Sequence, residues 1–327
     1  MRRREFIRLL GVAVAAAPIS AEAQSESSKP LVGFVSPGSK TASGRFYDGF
    51  FAGMRELGYQ SGRDYSLEDR FADGNLGLLP SLAKELVLLK PNVIVAGTSM
   101  AALAAKQTTV NIPIVGVNMT DPVGMGLVAS EAHPNTNVTG TLMRLTGMTG
   151  KQLEIGLDVV PGAKKIGILT NPRNPASTAQ QTDLKSVAST QDVNFAIIQV
   201  TNPDDLTSAF QQFGREHVDV VLVLADAMFV AARRLIAALA LAARLPTVFT
   251  VREHVEAGGL VSYGTDLREN YRRAAYFVDR ILKGEKPGDL PVEFLPKLEL
   301  VINLATAKAL NLKLPQAVLS RADEVIE

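Results

Sequence analysis

Two α/β lobes, each a parallel sheet flanked by helices, form the fold class that three features of this sequence predict. Short apolar runs without polar alternation recur along the chain, as in parallel strands covered on both faces. They alternate with amphipathic segments of helical length. The alternation also runs through twice, with an irregular stretch rich in Gly, Thr and Asn at 122–150 between the two passes. At 327 residues, 46% hydrophobic and 20% charged, the chain is long enough for two ordinary cores, whereas a single core of this size would be large.

The first residues read as targeting, not as fold. Arg2-Arg3-Arg4-Glu5-Phe6-Ile7-Arg8 is a basic region, residues 9–17 are a short apolar run, and Ala21-Glu22-Ala23 is a small-residue cleavage site before Gln24. The apolar run is too short to span a bilayer. Arg3-Arg4-x-Phe6-Ile7-Arg8 is similar to the twin-arginine export signal, the alternative being a general secretory signal with an extra arginine. Residues 1–23 are therefore expected to be removed on export to the periplasm, and 24–30 to be a flexible lead-in. Without residues 1–23, which hold four Arg and two Glu, the chain carries 30 basic and 31 acidic side chains, a balance of −1. That balance points to no nucleic-acid or anionic-membrane partner.

In the first pass, 31–35 is a strand ending in Ser36-Pro37-Gly38-Ser39, and 44–57 a helix stopped by Gly58. Residues 65–71 form a second strand, and a helix over 79–90 is ended by Pro91. Residues 92–96 form a third strand, whose exit Gly97-Thr98-Ser99 supplies the turn and N-cap for a helix at 101–107. The fourth, 113–117, stops abruptly in Asn118, Thr120, Asp121 and Pro122, so a buried strand opens into a polar turn where open α/β sheets place their ligands. Residues 122–150 read as a crossover.

The second pass begins with a helix at 153–159 and a strand at 165–169 that ends in Thr170-Asn171-Pro172. A helix at 175–190, a strand at 195–200 and a helix at 206–213 follow. The strand 219–224 leads to Ala225-Asp226-Ala227 and to a helix over 228–243 with an Ala-rich face. Further strands are expected at 246–250, 259–263 and 298–302, with helices at 251–258, 269–282 and 304–310 and a tail at 312–319.

Small polar groups stand after nearly every strand: Ser36, Thr98, Ser99, Asn118, Asp121, Asn171, Asp226 and Tyr263. If two lobes face each other, these ends line one cleft. Hydroxyls with helix N-terminal amides suit a carboxylate, and Asp121 and Asp226 suit an ammonium or a sugar hydroxyl. Tyr263, Phe46 and Tyr47 can pack on an apolar or aromatic body. Structural readings stand beside these: Ser36, Ser99 and Asp226 as helix caps, Asp121-Pro122 as a turn, and Tyr263 as interlobe packing. Arg144 and Arg252 are further candidates for a carboxylate.

Catalytic chemistry is thin. The chain has no cysteine, and none of His133, His217 and His254 has a neighbour at metal-ligand spacing. There is no G-x-S-x-G elbow, no Walker sequence and no complete dinucleotide loop, so no enzyme, metal site or cofactor is expected.

Several motifs carry a family. Asp121-Pro122-Val123-Gly124-Met125-Gly126-Leu127-Val128-Ala129-Ser130, Asn137-Val138-Thr139-Gly140 and Leu157-x-x-Val160-Pro161-Gly162-Ala163-Lys164 occur in order. They are followed by Arg252-Glu253-x-Val255-Glu256-Ala257-Gly258-Gly259-Leu260-x-Ser262-Tyr263-Gly264 and by the close Leu300-Val301-Ile302-Asn303-Leu304-x-Thr306-Ala307-Lys308-Ala309-Leu310. Across nearly all of the mature chain this resembles the ABC-transporter substrate-binding proteins of the tryptophan/tyrosine-binding type. The resemblance implies a periplasmic binding protein of type I: two Rossmann-like lobes joined by three crossovers, 31–140 plus 265–289 and 141–264 plus 290–327. It implies a monomeric, non-enzymatic receptor that closes on a small amino acid or organic acid, aromatic or branched, and delivers it to a membrane permease. The family's ligand loops map onto Ser36, Thr98, Ser99, Asp121, Asn171, Asp226 and Tyr263. The absence of Trp departs from an aromatic-binding pattern. A ligand sensor feeding a membrane kinase or chemoreceptor is the alternative, and an α/β enzyme a more distant one.

Overall fold

The computed structural model describes residues 29–41, 43–188 and 191–327; the export signal expected at 1–23 lies outside them. The first pass gives β1 (Leu31–Ser36), α1 (Gly44–Glu56), β2 (Ser66–Phe71), α2 (Leu79–Leu88), β3 (Val93–Ala96), α3 (Ser99–Thr108), β4 (Ile114–Met119) and β5 (Val138–Leu142). The second gives α4 (Met148–Val159), β6 (Lys165–Thr170), α5 (Ala176–Ala188), β7 (Asn194–Gln199), α6 (Leu206–Arg215), β8 (Val220–Val223), α7 (Ala227–Ala231), α8 (Arg233–Ala242), β9 (Thr247–Phe249), α9 (Arg252–Glu256) and β10 (Val261–Thr265). The chain closes with α10 (Leu267–Leu282), β11 (Glu293–Phe294), β12 (Leu298–Asn303), α11 (Leu304–Ala309), α12 (Gln316–Leu319) and β13 (Glu324–Ile326).

These strands form two sheets. One has the order β11-β5-β4-β3-β1-β2 and is parallel throughout. The other has the order β13-β12-β10-β9-β8-β6-β7 and is parallel except where β12 returns against β10. Each sheet is covered on both faces, which is why β1, β3, β4 and β8 are apolar along almost their whole length and buried. The chain passes between the sheets at 143–147, at 266 and at 295–297.

Several expectations need correction. The stretch at 122–150 is not all crossover, because β5 lies inside it. Its threonines hid it: Thr139 and Thr141 are fully buried, with Thr139 Oγ1 donating to the Leu290 carbonyl (2.7 Å) and Thr141 Oγ1 accepting from Asn118 N–H (3.2 Å). A strand whose hydroxyls are all paired is as buriable as an apolar one. The last crossover also comes later than 289, since β11 pairs β5 in the first sheet. Residues 228–243 are two helices, broken at Ala232, and the tail contains a strand, β13. Two- and three-residue strands carry too little pattern to be seen in sequence.

Helix α10 returns to the first lobe and lies on α1 at very short range. Gly49 and Gly53, one turn apart on α1, face the Arg268 and Arg272 carbonyls, and an added Cβ at either would overlap those oxygens. Gly53→Ala is therefore expected to cost about 1–3 kcal/mol of unfolding free energy. Urea denaturation reads this, and an unchanged midpoint would show that the two helices can separate without loss.

Candidate functional site

The C-terminal ends of β1, β3, β4 and β8 converge on one cleft between the lobes, of about 150 Å³. On the first lobe its wall includes Ser36, Gly97, Thr98, Ser99, Asn118 and Thr120, with Phe46 from α1 and Tyr271 from α10. On the second it includes Asn174, Leu224, Ala225, Asp226, Ala227, Val230, Ala231, Thr250 and His254. Met143, Val251 and Leu267 close it on the crossover side.

The first-lobe wall is a hydroxyl rim on an aromatic floor. Thr98 caps α3 by accepting from Ala101 N–H (3.3 Å), and Ser99 Oγ accepts from Thr120 N–H (2.8 Å), tying the ends of β3 and β4 together. Asn118 adopts a left-handed backbone (φ 57°), which turns the chain out of β4, and its Oδ1 accepts from Asn270 of α10. Below the rim the rings of Phe46 and Tyr271 stack, with centroids 5.4 Å apart and planes 10° from parallel. Tyr271 donates its O–H to the Gly97 carbonyl (3.3 Å), and burial raises its phenol above the ordinary value.

On the opposite wall, Asp226 ends the segment after β8 and caps α7. Its Oδ1 accepts from Met228 N–H (2.8 Å) and its Oδ2 from Asn171 Nδ2 (3.2 Å). Burial pushes its carboxyl up, and the donors from Met228, Asn171, Asn174 and Phe229 pull it back down. Asn174 and Gln180 both donate to the Ala225 carbonyl, which fixes this loop (2.9 and 3.2 Å). His254 stacks on Phe249 and sets Nε2 3.2 Å from the Phe229 carbonyl. Burial lowers its pKa to about 3, so it is neutral. Asp226 is thus the one acidic side chain on the described wall, which holds no Lys or Arg.

Of the residues nominated from sequence, Ser36, Phe46, Thr98, Ser99, Asn118 and Asp226 line the cleft. Asn171 stands behind it, holding Asp226. Tyr47 does not reach it: one helical step from Phe46 turns its ring into the first-lobe core, 4.4 Å from Phe34 and 5.7 Å from Phe71. Asp121 closes its own turn, accepting from Gly124 N–H (2.9 Å) at the surface. Tyr263 packs into the second-lobe core, and its carbonyl takes Gln152 Nε2 (2.7 Å). Arg144 pairs with Glu131 (2.8 Å), and Arg252 with Glu256, Glu299 and Glu324 (3.0, 2.9 and 2.5 Å), so neither faces the cleft. Thr250 also lines the cleft and carries the same signal, a polar residue directly after a strand, β9. Tyr271, mid-element on α10, gave no signal.

A protein-family comparison matches residues 32–326 to the family described as ABC transporter substrate binding protein. A curated relative, a tyrosine-binding protein of Clostridioides difficile, is 28% identical over 267 residues, covering 81% of this chain and 76% of that one. Among solved structures, a conserved domain protein from Vibrio cholerae is 28% identical with a TM-score of 0.83, over 91% of this chain and 99% of that chain. A Streptococcus pneumoniae ABC domain in complex with L-Trp is 24% identical, also with a TM-score of 0.83, over 91% and 100% of the two chains.

Two adjacent residues of α9 give a test of the burial described here. Native His254 stays neutral down to about pH 3, whereas the unfolded chain binds that proton below its ordinary value of 6.5, so acidification between the two favours unfolding. Glu253 does the reverse. Burial first, and then Asp266, raise it from 4.5 to about 7 against the pull of its own backbone N–H, Arg45 and Arg252. The native chain therefore holds a proton that the unfolded one releases, and acidification through that window favours folding. From about pH 4.5 to 6.5 the two offset each other. Glu253→Gln is expected to lose stability on acidification across that window, by up to about 1.4 kcal/mol per pH unit, and His254→Gln to gain it. Urea denaturation at stepped pH reads both slopes; two variants with the parent's slope would show these groups to be solvated.

Proposed function

The chain belongs to the ABC transporter substrate-binding protein family, and from that premise we propose that it is the exported receptor of an importer, closing on an α-amino acid with an aromatic or large apolar side chain and passing it to a membrane permease. The observation that carries the reading is the set of ionisable groups in the cleft. Its described wall holds one buried carboxyl, Asp226, whose ionised form burial disfavours until a cation comes beside it, and no Lys or Arg.

That pattern separates two ligand classes the sequence left open. Two unit charges 4 Å apart near a protein surface interact by about 4 kcal/mol. A simple organic acid would bring a second anion next to Asp226 with no cation to answer it. An amino acid brings its own ammonium to Asp226, and its carboxylate meets the hydroxyls of Ser36, Thr98, Ser99 and Thr120 at the first turn of α3. The stacked Phe46 and Tyr271 suit a planar or apolar side chain. A tyrosine-binding relative and a similar fold holding L-Trp support the same ligand class. Export through residues 1–23 completes the proposal.

Calorimetric titration of residues 24–327 with L-tryptophan, L-tyrosine and their deaminated acids tests it. The amino acids are expected to bind at least 100-fold more tightly than the acids. Asp226→Asn keeps a helix-capping side chain and is expected to lose most of that preference while its unliganded melt stays near the parent's. Tighter binding of the deaminated acids would overturn the assignment.

A further inference from the structure

The apolar part of the cleft is not uniform. Phe46, Met143, Val251, Leu267 and Tyr271 are already buried against protein. Leu76, Met100 and Met125 on the first lobe, and Ala225, Ala227, Val230 and Ala231 on the second, line the same cleft and are only partly buried, Ala225 and Val230 also packing against the cluster that holds the first-lobe core. Apolar surface left uncovered inside a cleft is where a ligand's apolar body gains most by burial.

The two sides of this uncovered region are built differently. Helix α7 turns Met228 and Phe229 into the second-lobe core, where they are 4% and 0% exposed. Ala227, Val230 and Ala231, at i, i+3 and i+4, form the opposite face and meet the cleft. The helix is pinned at its start by Asp226 on Met228 N–H (2.8 Å) and from below by His254 Nε2 at the Phe229 carbonyl (3.2 Å). Its cleft face is therefore a fixed, low-relief surface. Met100 and Met125, facing it from α3 and from the loop after β4, are unbranched thioethers that repack at little cost.

We propose that Ala227 and Ala231 are the specificity-determining residues of this receptor: they set how large a ligand side chain the cleft admits, while Met100 and Met125 adjust to its shape. The inference rests on the amino-acid reading above. It makes the receptor selective for bulky side chains through the absence of bulk on α7, and tolerant among them through the methionines. A hydrophobic pocket discriminates a single methylene by about 10- to 200-fold, so a leucine on the alanine face fills the space a ring would take.

Titration of the parent, Ala227→Leu and Ala231→Leu with L-tryptophan and L-valine decides it, with each variant's unliganded melt as the check on folding. Each substitution is expected to weaken L-tryptophan at least tenfold and to leave L-valine within about threefold, collapsing the ratio between them. Where a leucine variant does not fold, Ala231→Val replaces it, with a smaller shift of the same sign. Equal weakening of both ligands, or an unchanged ratio, overturns the inference while leaving the amino-acid reading standing. A parent that binds no amino acid overturns both.

Discussion

A carboxylate removed from water must be answered by donors or by a cation, and Asp226 is where this chain meets that requirement. The protein answers with donors from Met228, Phe229, Asn171 and Asn174, and burial still pushes the carboxyl up. Much of the second-lobe wall follows from those contacts. Asn171 is held at the end of β6, α7 starts where it does, and Asn174 and Gln180 secure the Ala225 carbonyl beside it. What remains is a carboxyl inside an apolar gap that a cation placed beside it would help to ionise.

Among the described residues, Arg45 of α1 reaches across the gap to Glu256 of α9, and Ala225 and Val230 pack against the cluster that holds the first-lobe core. Arg45 is half-exposed, and surface pairs of this kind contribute only about 0–1 kcal/mol. The lobes are stiff by contrast. Gly49 and Gly53 let α10 lie against α1, and Arg252 joins α9 to β12 and β13 through three carboxylates. Rigid bodies joined by three short crossovers concentrate motion in those crossovers. The open and closed populations then depend on contacts that exist only when both walls touch one ligand.

The two-sheet architecture was legible because parallel strands covered on both faces leave long apolar runs. The general position of the site was legible for a related reason: strands that end at one rim place polar residues there, as Ser36, Thr98, Ser99 and Asp226 show. What could not be read is direction. Phe46 and Tyr47 are equally aromatic, but 100° of helical rotation sends one to the cleft and the other to the core. Tyr263 reads as the end of a strand, yet β10 runs on to Thr265 and the ring packs against the second-lobe core. Asp121 had a hydrogen-bond partner three residues away, and local pairing removed it from the site. Tyr271 reaches the cleft only because the chain returns to the first lobe after completing most of the second, a fact of topology that no local pattern encodes.

The asymmetry between the two walls bears on what kind of selectivity such a cleft sustains. A wall pinned at its start and its middle, like α7, loses little freedom when a ligand arrives, so what it excludes by shape stays excluded. A wall of methionines gives up rotamer freedom with every ligand and regains it in contact, so it penalises differences in shape only weakly. On the reading proposed above, the fixed hydrogen bonds of Asp226 and the hydroxyl rim would make such a receptor strict about the polar end of its ligand. Toward the apolar end, α7 would limit size while the methionines tolerate differences of shape within that limit.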